Sequence, residues 1–253
     1  MTGDIKHIVI IESLKKDDRL TGKELYDDLI LRKIEYEGKA ITSKFYSIDN
    51  KNSLIDILKY YQIHSQYLTG GLLIHLEMHG ASNKTGLSLT NAELISWTEI
   101  VDLFRPINIS TVNKLFVTMA TCFGRYLFQG IDPYKKSPYS GYLSASEEIY
   151  PDEIIDNFGV LFEKLIESGN IVNAYLEMQK TSSSFYYKDS ERAFEDAFEM
   201  TKNDSDFDEL LKKEMRTLAS EMNTPVTDEI IVELRDMALL DIYHKQKAAF
   251  HFK

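Results

Sequence analysis

The 253-residue sequence lacks several features that would assign it to familiar classes of protein. Its single cysteine, Cys122, excludes an internal disulfide and a cysteine-rich zinc site. An unpaired thiol is typical of a reducing compartment, so we expect a cytoplasmic protein. We expect no secretory signal, because acidic residues flank the apolar segment 7–14 and no small-residue cleavage site follows it. We expect no membrane contact either, because no apolar run approaches the length needed to span a bilayer.

Basic residues are also in short supply. The chain has 29 Lys and Arg against 40 Asp and Glu, which gives a net charge of −11. No basic stripe offsets this charge, so the composition argues against a general nucleic-acid binder. Hydrophobic residues make up 43% of the chain, which is ordinary for a globular protein with one large domain or one domain with a helical extension.

Strand and helix patterns alternate over about the first two-thirds of the chain. This alternation predicts an α/β fold with a mainly parallel sheet covered by helices on both faces. Pro106 is expected to end the helix that contains it. The predicted strands are 6–13, 41–48, 70–78, 113–122 and 139–146, with shorter pieces at 86–89 and 182–188, and the predicted helices are 21–36, 50–66, 95–107, 151–168 and 170–180.

The last part of the chain has a helical pattern only. It begins at about residue 189 and is interrupted near Pro225. Its second half is strongly apolar on one face, and such a helix seldom stays exposed. We therefore expect a domain at 1–190 and a helical C-terminal extension at 191–253 that packs on it, although a partner or dimer surface is the alternative.

The segment "GLLIHLEMHG" (71–80) reads as a buried strand that turns polar at its end. Side chains alternate between the faces of a strand, so one row of this segment is wholly apolar and the other carries the polar residues. In a parallel register with the strand 113–122, His79 and Cys122 meet at the two carboxyl ends, about 5 Å apart at the backbone. The facing rows would be Leu73, His75, Glu77 and His79 on one strand, and Phe116, Thr118, Ala120 and Cys122 on the other.

This pairing predicts a particular chemistry. An imidazole beside a thiol can withdraw its proton and stabilise the thiolate. The backbone N–H groups of Gly80 and Cys122 are candidates to bind the oxygen of a substrate carbonyl as it gains charge. The expected reaction is acyl transfer to Cys122 followed by hydrolysis, for which we expect neither a metal nor an organic cofactor.

A hydrophobic strand ending in "MHG", then a helix, then a hydrophobic strand ending in "ATCFG" resembles the caspase-like cysteine peptidases. That group includes metacaspases, separase, legumain, gingipains and the prokaryotic caspase-like and CHAT peptidases. The histidine of caspases lies about 50 residues before the cysteine of Gln-Ala-Cys-X-Gly; here His79 lies 43 residues before Cys122. The resemblance covers roughly residues 5–190. It implies a caspase-like fold, a catalytic dyad of His79 and Cys122, and an oxyanion hole from Gly80 and Cys122.

The resemblance also implies a protein or peptide substrate, a possible regulatory protein partner and, among prokaryotic relatives, a place in antiviral defence or regulated cell death. It does not fix specificity, because Ala120 stands where caspases have a glutamine and metacaspases an acid. The candidate pocket residues are Glu12, Ala120 and Ser144. Glu12 would favour Lys or Arg in the pocket, or would be a solvated or capping residue.

Other interpretations remain open at the level of sequence. His75, Glu77 and His79 share a strand face and have the chemistry of zinc ligands, although their spacing is not that of a helical metallopeptidase motif. Glu77 would either orient His79 or pair with His75. The chain would otherwise be a catalytically inactive caspase-like scaffold that binds a partner, or an unrelated doubly wound binding module. The binding-module interpretation is weakened by the segment after the first strand. A glycine-rich phosphate loop would be expected there, but the sequence has "ESLKKDDRL" (12–20).

Overall fold

The alternating segments of the sequence form a sheet with helices on both faces, in a computed structural model that describes residues 3–181, 184–221 and 227–252. The strands are β1 (Ile5–Ser13), β2 (Thr42–Ser47), β3 (Gly71–Gly80), β4 (Gly86–Ser88), β5 (Leu94–Ser96), β6 (Leu115–Ala120), β7 (Gly141–Ala145) and β8 (Phe185–Asp189). The helices are α1 (Thr21–Glu24), α2 (Leu31–Glu37), α3 (Lys51–His64), α4 (Trp97–Ser110), α5 (Pro151–Ser168), α6 (Ile171–Met178), α7 (Ser190–Lys202), α8 (Ser205–Glu221) and α9 (Asp228–Phe250). A π-helical stretch, Leu25–Ile30, joins α1 to α2.

The main sheet has the strand order β2-β1-β3-β6-β7-β8. Its pairs are parallel except for β7 and β8, which run antiparallel. β4 and β5 form a small antiparallel extension at the end of β3. The predicted α/β fold with a mostly parallel sheet, flanking helices and a helical C-terminal region is therefore confirmed.

Each face of the sheet has its own hydrophobic core. The apolar row of β3 packs with α3, α4, α7 and the end of α9. The opposite face, which carries the polar row of β3, packs with α2, α5 and α6. Burial on both faces explains why β1, β3 and β6 are almost continuously apolar, as parallel strands usually are.

The prediction that Pro106 ends its helix is wrong, because α4 continues through Pro106 to Ser110. Proline removes one backbone hydrogen bond of a helix, but packing on both sides of it holds the chain helical. Phe104 and Ile107 are both fully buried in the core. Asn108 donates a hydrogen bond to the Ser137 carbonyl at 2.9 Å, which fixes the last turn.

The C-terminal helices are attached to the strand-containing part at the end of α9. Phe250 is fully buried, with its ring centroid 5.3 Å from that of Phe194. Its carbonyl accepts a hydrogen bond from the Ser137 amide at 2.9 Å, and the next carbonyl, of His251, accepts one from Lys136 Nζ at 2.6 Å. The end of α9 therefore belongs to the core of the sheet domain.

Two sequence predictions fall partly or wholly outside the described residues. The edge strand predicted at 182–188 corresponds to β8, and its first two residues are not among those described. The helix interruption predicted near Pro225 lies outside the described ranges. Within those ranges, no helix combines enough length with enough apolar character to pass through a bilayer.

The burial of Phe250 leads to a first testable prediction. Replacing it with alanine (Phe250→Ala) should lower the free energy of unfolding by about 3 kcal/mol or more, because a large cavity is left in the core. Leu240→Ala on the same helix is the matched control. Leu240 is 58% exposed, so its loss should change the free energy by no more than about 0.5 kcal/mol. Urea denaturation measures both, and equal effects would contradict the attachment described above.

Candidate active site

The pairing of β3 with β6 brings His79 and Cys122 to the same edge of the sheet. In this parallel ladder His75 is opposite Thr118 and Glu77 is opposite Ala120. The predicted register of the two strands is therefore confirmed. The ladder ends at this pair; His79 is two residues beyond Glu77 and Cys122 two residues beyond Ala120, and both line one cavity of about 300 Å³.

The backbones of the two strand ends approach each other at Gly80. A Cβ atom built on Gly80 would overlap the carbonyl oxygen of Cys122. Only glycine allows this approach, because every other residue carries that atom. Gly80 therefore lies against Cys122, as expected for the predicted oxyanion hole, while the role of its N–H stays a prediction.

The chain turns sharply directly after Cys122. Phe123 has a left-handed conformation (φ 61°, ψ 15°), which costs energy for a residue with a side chain. Contacts on both sides of Phe123 hold it there: its amide donates to the Glu147 carbonyl at 3.3 Å, and Lys84 Nζ lies 4.8 Å from its ring centroid. The turn leaves Cys122 half-buried at the corner, a feature that strand periodicity did not predict.

His79 is hydrogen-bonded to a carboxylate that the sequence did not single out. Its Nε2 lies 2.8 Å from Asp18 Oδ2, and the side chains are 51% and 31% exposed. Partial burial raises the pKa of Asp18, but hydrogen bonds from His79 and from the Lys15 amide outweigh it, so the net pKa is lowered. Asp18 follows β1, which is parallel to β3, so both strands end at the same edge of the sheet. This shared edge is the sequence signal that could have placed Asp18 near His79.

Glu77 pairs with His75 in the core and not with His79. His75 Nε2 lies 3.0 Å from Glu77 Oε1, and Thr21 donates to Glu77 Oε2 at 2.8 Å. His75 Nδ1 lies 2.8 Å from Thr118 Oγ1, which completes a fully buried network. Among the described residues, no group of three or more His, Cys, Asp or Glu side chains is arranged to hold a metal ion.

Glu12 does not reach the cavity wall. It is 2% exposed and is opposite Glu77 in the ladder of β1 with β3. Its carboxylate accepts the Lys23 amide at 3.0 Å, so it caps the start of α1. Burial raises the pKa of Glu12 and the neighbouring Glu77 adds to this, against the hydrogen bonds from the backbone of Lys23 and Gly22.

The other two predicted pocket residues lie in different surroundings. Ala120 lines the cavity that holds His79 and Cys122. Ser144 is fully buried on β7 and lies behind Gly124, away from the cavity. Its hydroxyl has no hydrogen-bond partner among the described residues. The cavity is also lined by Asp17, Asp18, Arg19, Thr21, Glu77 and Ile149.

His79 and Asp18 separate this cavity from a second one. The second cavity, of about 590 Å³, lies on the side of the β4–β5 extension. Gly80, Ala81 and Leu94 contribute to its wall. His79 therefore lies in the wall of both cavities.

No known protein-family model matches this sequence, and no curated protein is significantly similar to it.

The approach of Gly80 to Cys122 generates a second prediction. Gly80→Ala should destabilise the protein by about 1–3 kcal/mol, because β3 and β6 must separate to admit the methyl group. Gly159→Ala is the matched control: no atom lies within 4 Å of a Cβ built there, inside α5. It should stabilise the protein by about 0.5–1 kcal/mol. Urea unfolding of a Gly80→Ala protein as stable as wild type would disprove the close approach.

The raised pKa of Glu12 generates a third prediction. The folded state holds this proton more tightly than the unfolded state, so ionisation of Glu12 lowers stability as pH rises above its ordinary pKa of 4.5. Glutamine cannot ionise. The free energy of unfolding of Glu12→Gln, relative to wild type, should therefore increase between acidic and neutral pH.

Glu24→Gln is the control with the opposite sign. A hydrogen bond from Arg19 lowers the pKa of Glu24, so wild type gains stability from this group as pH rises. The free energy of unfolding of Glu24→Gln, relative to wild type, should therefore decrease as pH rises. Urea titrations near pH 4 and near pH 8 measure both differences. A Glu12→Gln difference that is flat or that falls with pH would contradict the buried, capping role of Glu12.

Proposed function

We propose that this chain is a cysteine endopeptidase of caspase-like type, with Cys122 as nucleophile and His79 as its base. The observation that carries the proposal is that these two residues, at the carboxyl ends of neighbouring parallel strands, line one cavity. Nucleophile and base on rigid strands, beside a cavity, form the arrangement that acyl transfer requires. The resemblance of "MHG" and "ATCFG" to the caspase-like motifs supports the same conclusion.

The reaction needs only groups of this site, the substrate and water. The His79 imidazole takes the proton of the Cys122 thiol, and the thiolate attacks the carbonyl carbon of a peptide bond. The C–N bond breaks, the imidazolium gives its proton to the leaving amine, and a thioester remains on Cys122. Water, deprotonated by the same imidazole, then releases the acid and restores the thiol.

Backbone groups at Gly80 and Cys122 are the proposed donors to the tetrahedral oxyanion. The close approach of these two backbones supports this role, because it brings Gly80 against Cys122, which lines the cavity. The strained turn at Phe123 supports it further, since it holds Cys122 at a corner of the chain.

The proposed substrate is a protein or peptide in the cytoplasm. Cavities on both sides of His79 support an extended chain with residues bound before and after the cleaved bond. A regulatory protein partner, and a role in antiviral defence or regulated cell death, follow from the resemblance alone.

A labelling experiment tests the proposal. Wild type, Cys122→Ala and His79→Ala are treated with peptidyl acyloxymethyl ketones that carry Arg, Lys, Asp, Leu or Ala at the leading position. We expect intact-mass spectra to show one adduct on wild type, mapped to Cys122, and none on Cys122→Ala. His79→Ala should react at least about 10²-fold more slowly, because the thiol has lost its base.

His64→Ala is the matched control for the loss of a histidine. His64 is exposed on α3, so labelling should proceed at the wild-type rate. Equal labelling of wild type and His79→Ala would show that the imidazole takes no part. Failure of the whole panel to label wild type would overturn the peptidase and favour the inactive scaffold.

A further inference from the structure

We propose that Asp18 is a positioning residue that fixes which nitrogen of His79 carries the proton, so that the site works as a Cys–His–Asp triad. The effect on catalysis rests on the proposed function, whereas the effect on His79 does not. The proposal begins from the 2.8 Å distance between His79 Nε2 and Asp18 Oδ2.

The loop between β1 and α1 holds this carboxylate in place. The Lys15 amide donates to the same oxygen, Asp18 Oδ2, at 2.9 Å. The Asp18 amide in turn donates to the Lys15 carbonyl at 3.0 Å, which closes a tight turn. Asp18 is therefore anchored by its own loop before His79 contacts it, and its side chain is preorganised.

Hydrogen-bond chemistry assigns the proton on His79. An ionised carboxylate can only accept hydrogen bonds, so Nε2 must donate to Asp18. A neutral imidazole has one N–H group, which leaves Nδ1 with its lone pair free to act as the base. The lowered pKa of Asp18 supports this assignment, because the carboxylate stays ionised at neutral pH.

The other charged groups near His79 are occupied or lie at the cavity rim. Glu77 is bound by His75 and Thr21. Arg19, on the same loop as Asp18, makes ion pairs with Glu24 at 2.7 Å and Asp152 at 2.5 Å.

Among the described residues, Lys15 and Asp17 are the other charged groups that line the two cavities, and both are exposed on that loop. They therefore act on the imidazole through screened charge, whereas Asp18 acts through a direct hydrogen bond.

The consequence for the reaction is specific. Asp18 keeps the lone pair on Nδ1, the ring nitrogen that is then left to take the proton of Cys122, and its negative charge stabilises the imidazolium that forms when the thiol is deprotonated. Without the carboxylate the imidazole can adopt either tautomer, and an amide at this position can donate to Nε2 and place the proton on Nδ1, where it blocks the base.

The tautomer can be measured directly. Protein labelled with ¹⁵N-histidine is made in the Cys122→Ala background, so that no thiolate forms, and long-range ¹H–¹⁵N correlation spectra are recorded across pH. The His79 signals are assigned by their loss in a His79→Gln variant. We expect the neutral form of His79 to carry its proton on Nε2, and the Asp18→Asn variant to shift to Nδ1–H or a mixture.

Asp17→Asn is the matched control. It removes one negative charge from the same loop and leaves the 2.8 Å hydrogen bond of Asp18 in place. The tautomer of neutral His79 should therefore be unchanged in this variant.

A rate measurement connects the tautomer to the thiol. With Cys122 present, Asp18→Asn should react with the best peptidyl ketone about 10²-fold more slowly than wild type, and Asp18→Glu should recover part of that rate. A merely structural role for Asp18 would leave the tautomer as it is.

The proposal is overturned if neutral His79 keeps its Nε2–H tautomer in Asp18→Asn. This outcome is distinct from failure of the proposed function, since the spectra need no reaction at Cys122. A wild-type protein that no ketone labels would overturn the peptidase while the spectra still decide the role of Asp18.

Discussion

The parallel pairing of β3 with β6 is the constraint on which the candidate site depends. Because side chains alternate with a period of two, a slip of one residue would turn His79 to the opposite face of the sheet from Cys122. The pairs His75–Thr118 and Glu77–Ala120 exclude that slip. Two observations beyond the ladder fit the same register: Gly80 packs against the Cys122 carbonyl, and His79 and Cys122 line one cavity.

The two histidines of β3 differ in burial, and this difference separates a structural residue from a candidate catalytic residue on the same strand. His75 is fully buried and bound at both nitrogens, by Thr118 and Glu77. Its hydrogen bonds offset the cost of burying polar groups, and this network also fixes the register of β3. His79, four residues on, is half-exposed and bound at Nε2 by Asp18, which leaves one ring nitrogen for a reaction. The first histidine stabilises the sheet that positions the second.

Sequence periodicity predicted much of the fold and the register of the two strands that lead to the site. The strands, their parallel arrangement and the pairing of His75 with Thr118 and of Glu77 with Ala120 follow from alternating rows, because both faces of the sheet are buried. Asp18 could not be found this way, since its position is set by a loop turn. The prediction for Pro106 was wrong because packing around it outweighs the tendency of proline to end a helix. The capping role of Glu12 could not be read from its own strand, because it depends on where the start of α1 lies in the fold.

The central claim is that His79 is the base for the Cys122 thiol, and the alkylation of Cys122 by iodoacetamide tests it most directly. Wild type and His79→Ala are compared at neutral pH under identical conditions, with the modified cysteine quantified by mass spectrometry. The account predicts that Cys122 is alkylated more slowly in His79→Ala, because the thiol has lost the group that takes its proton. Equal rates in the two proteins would contradict the claim.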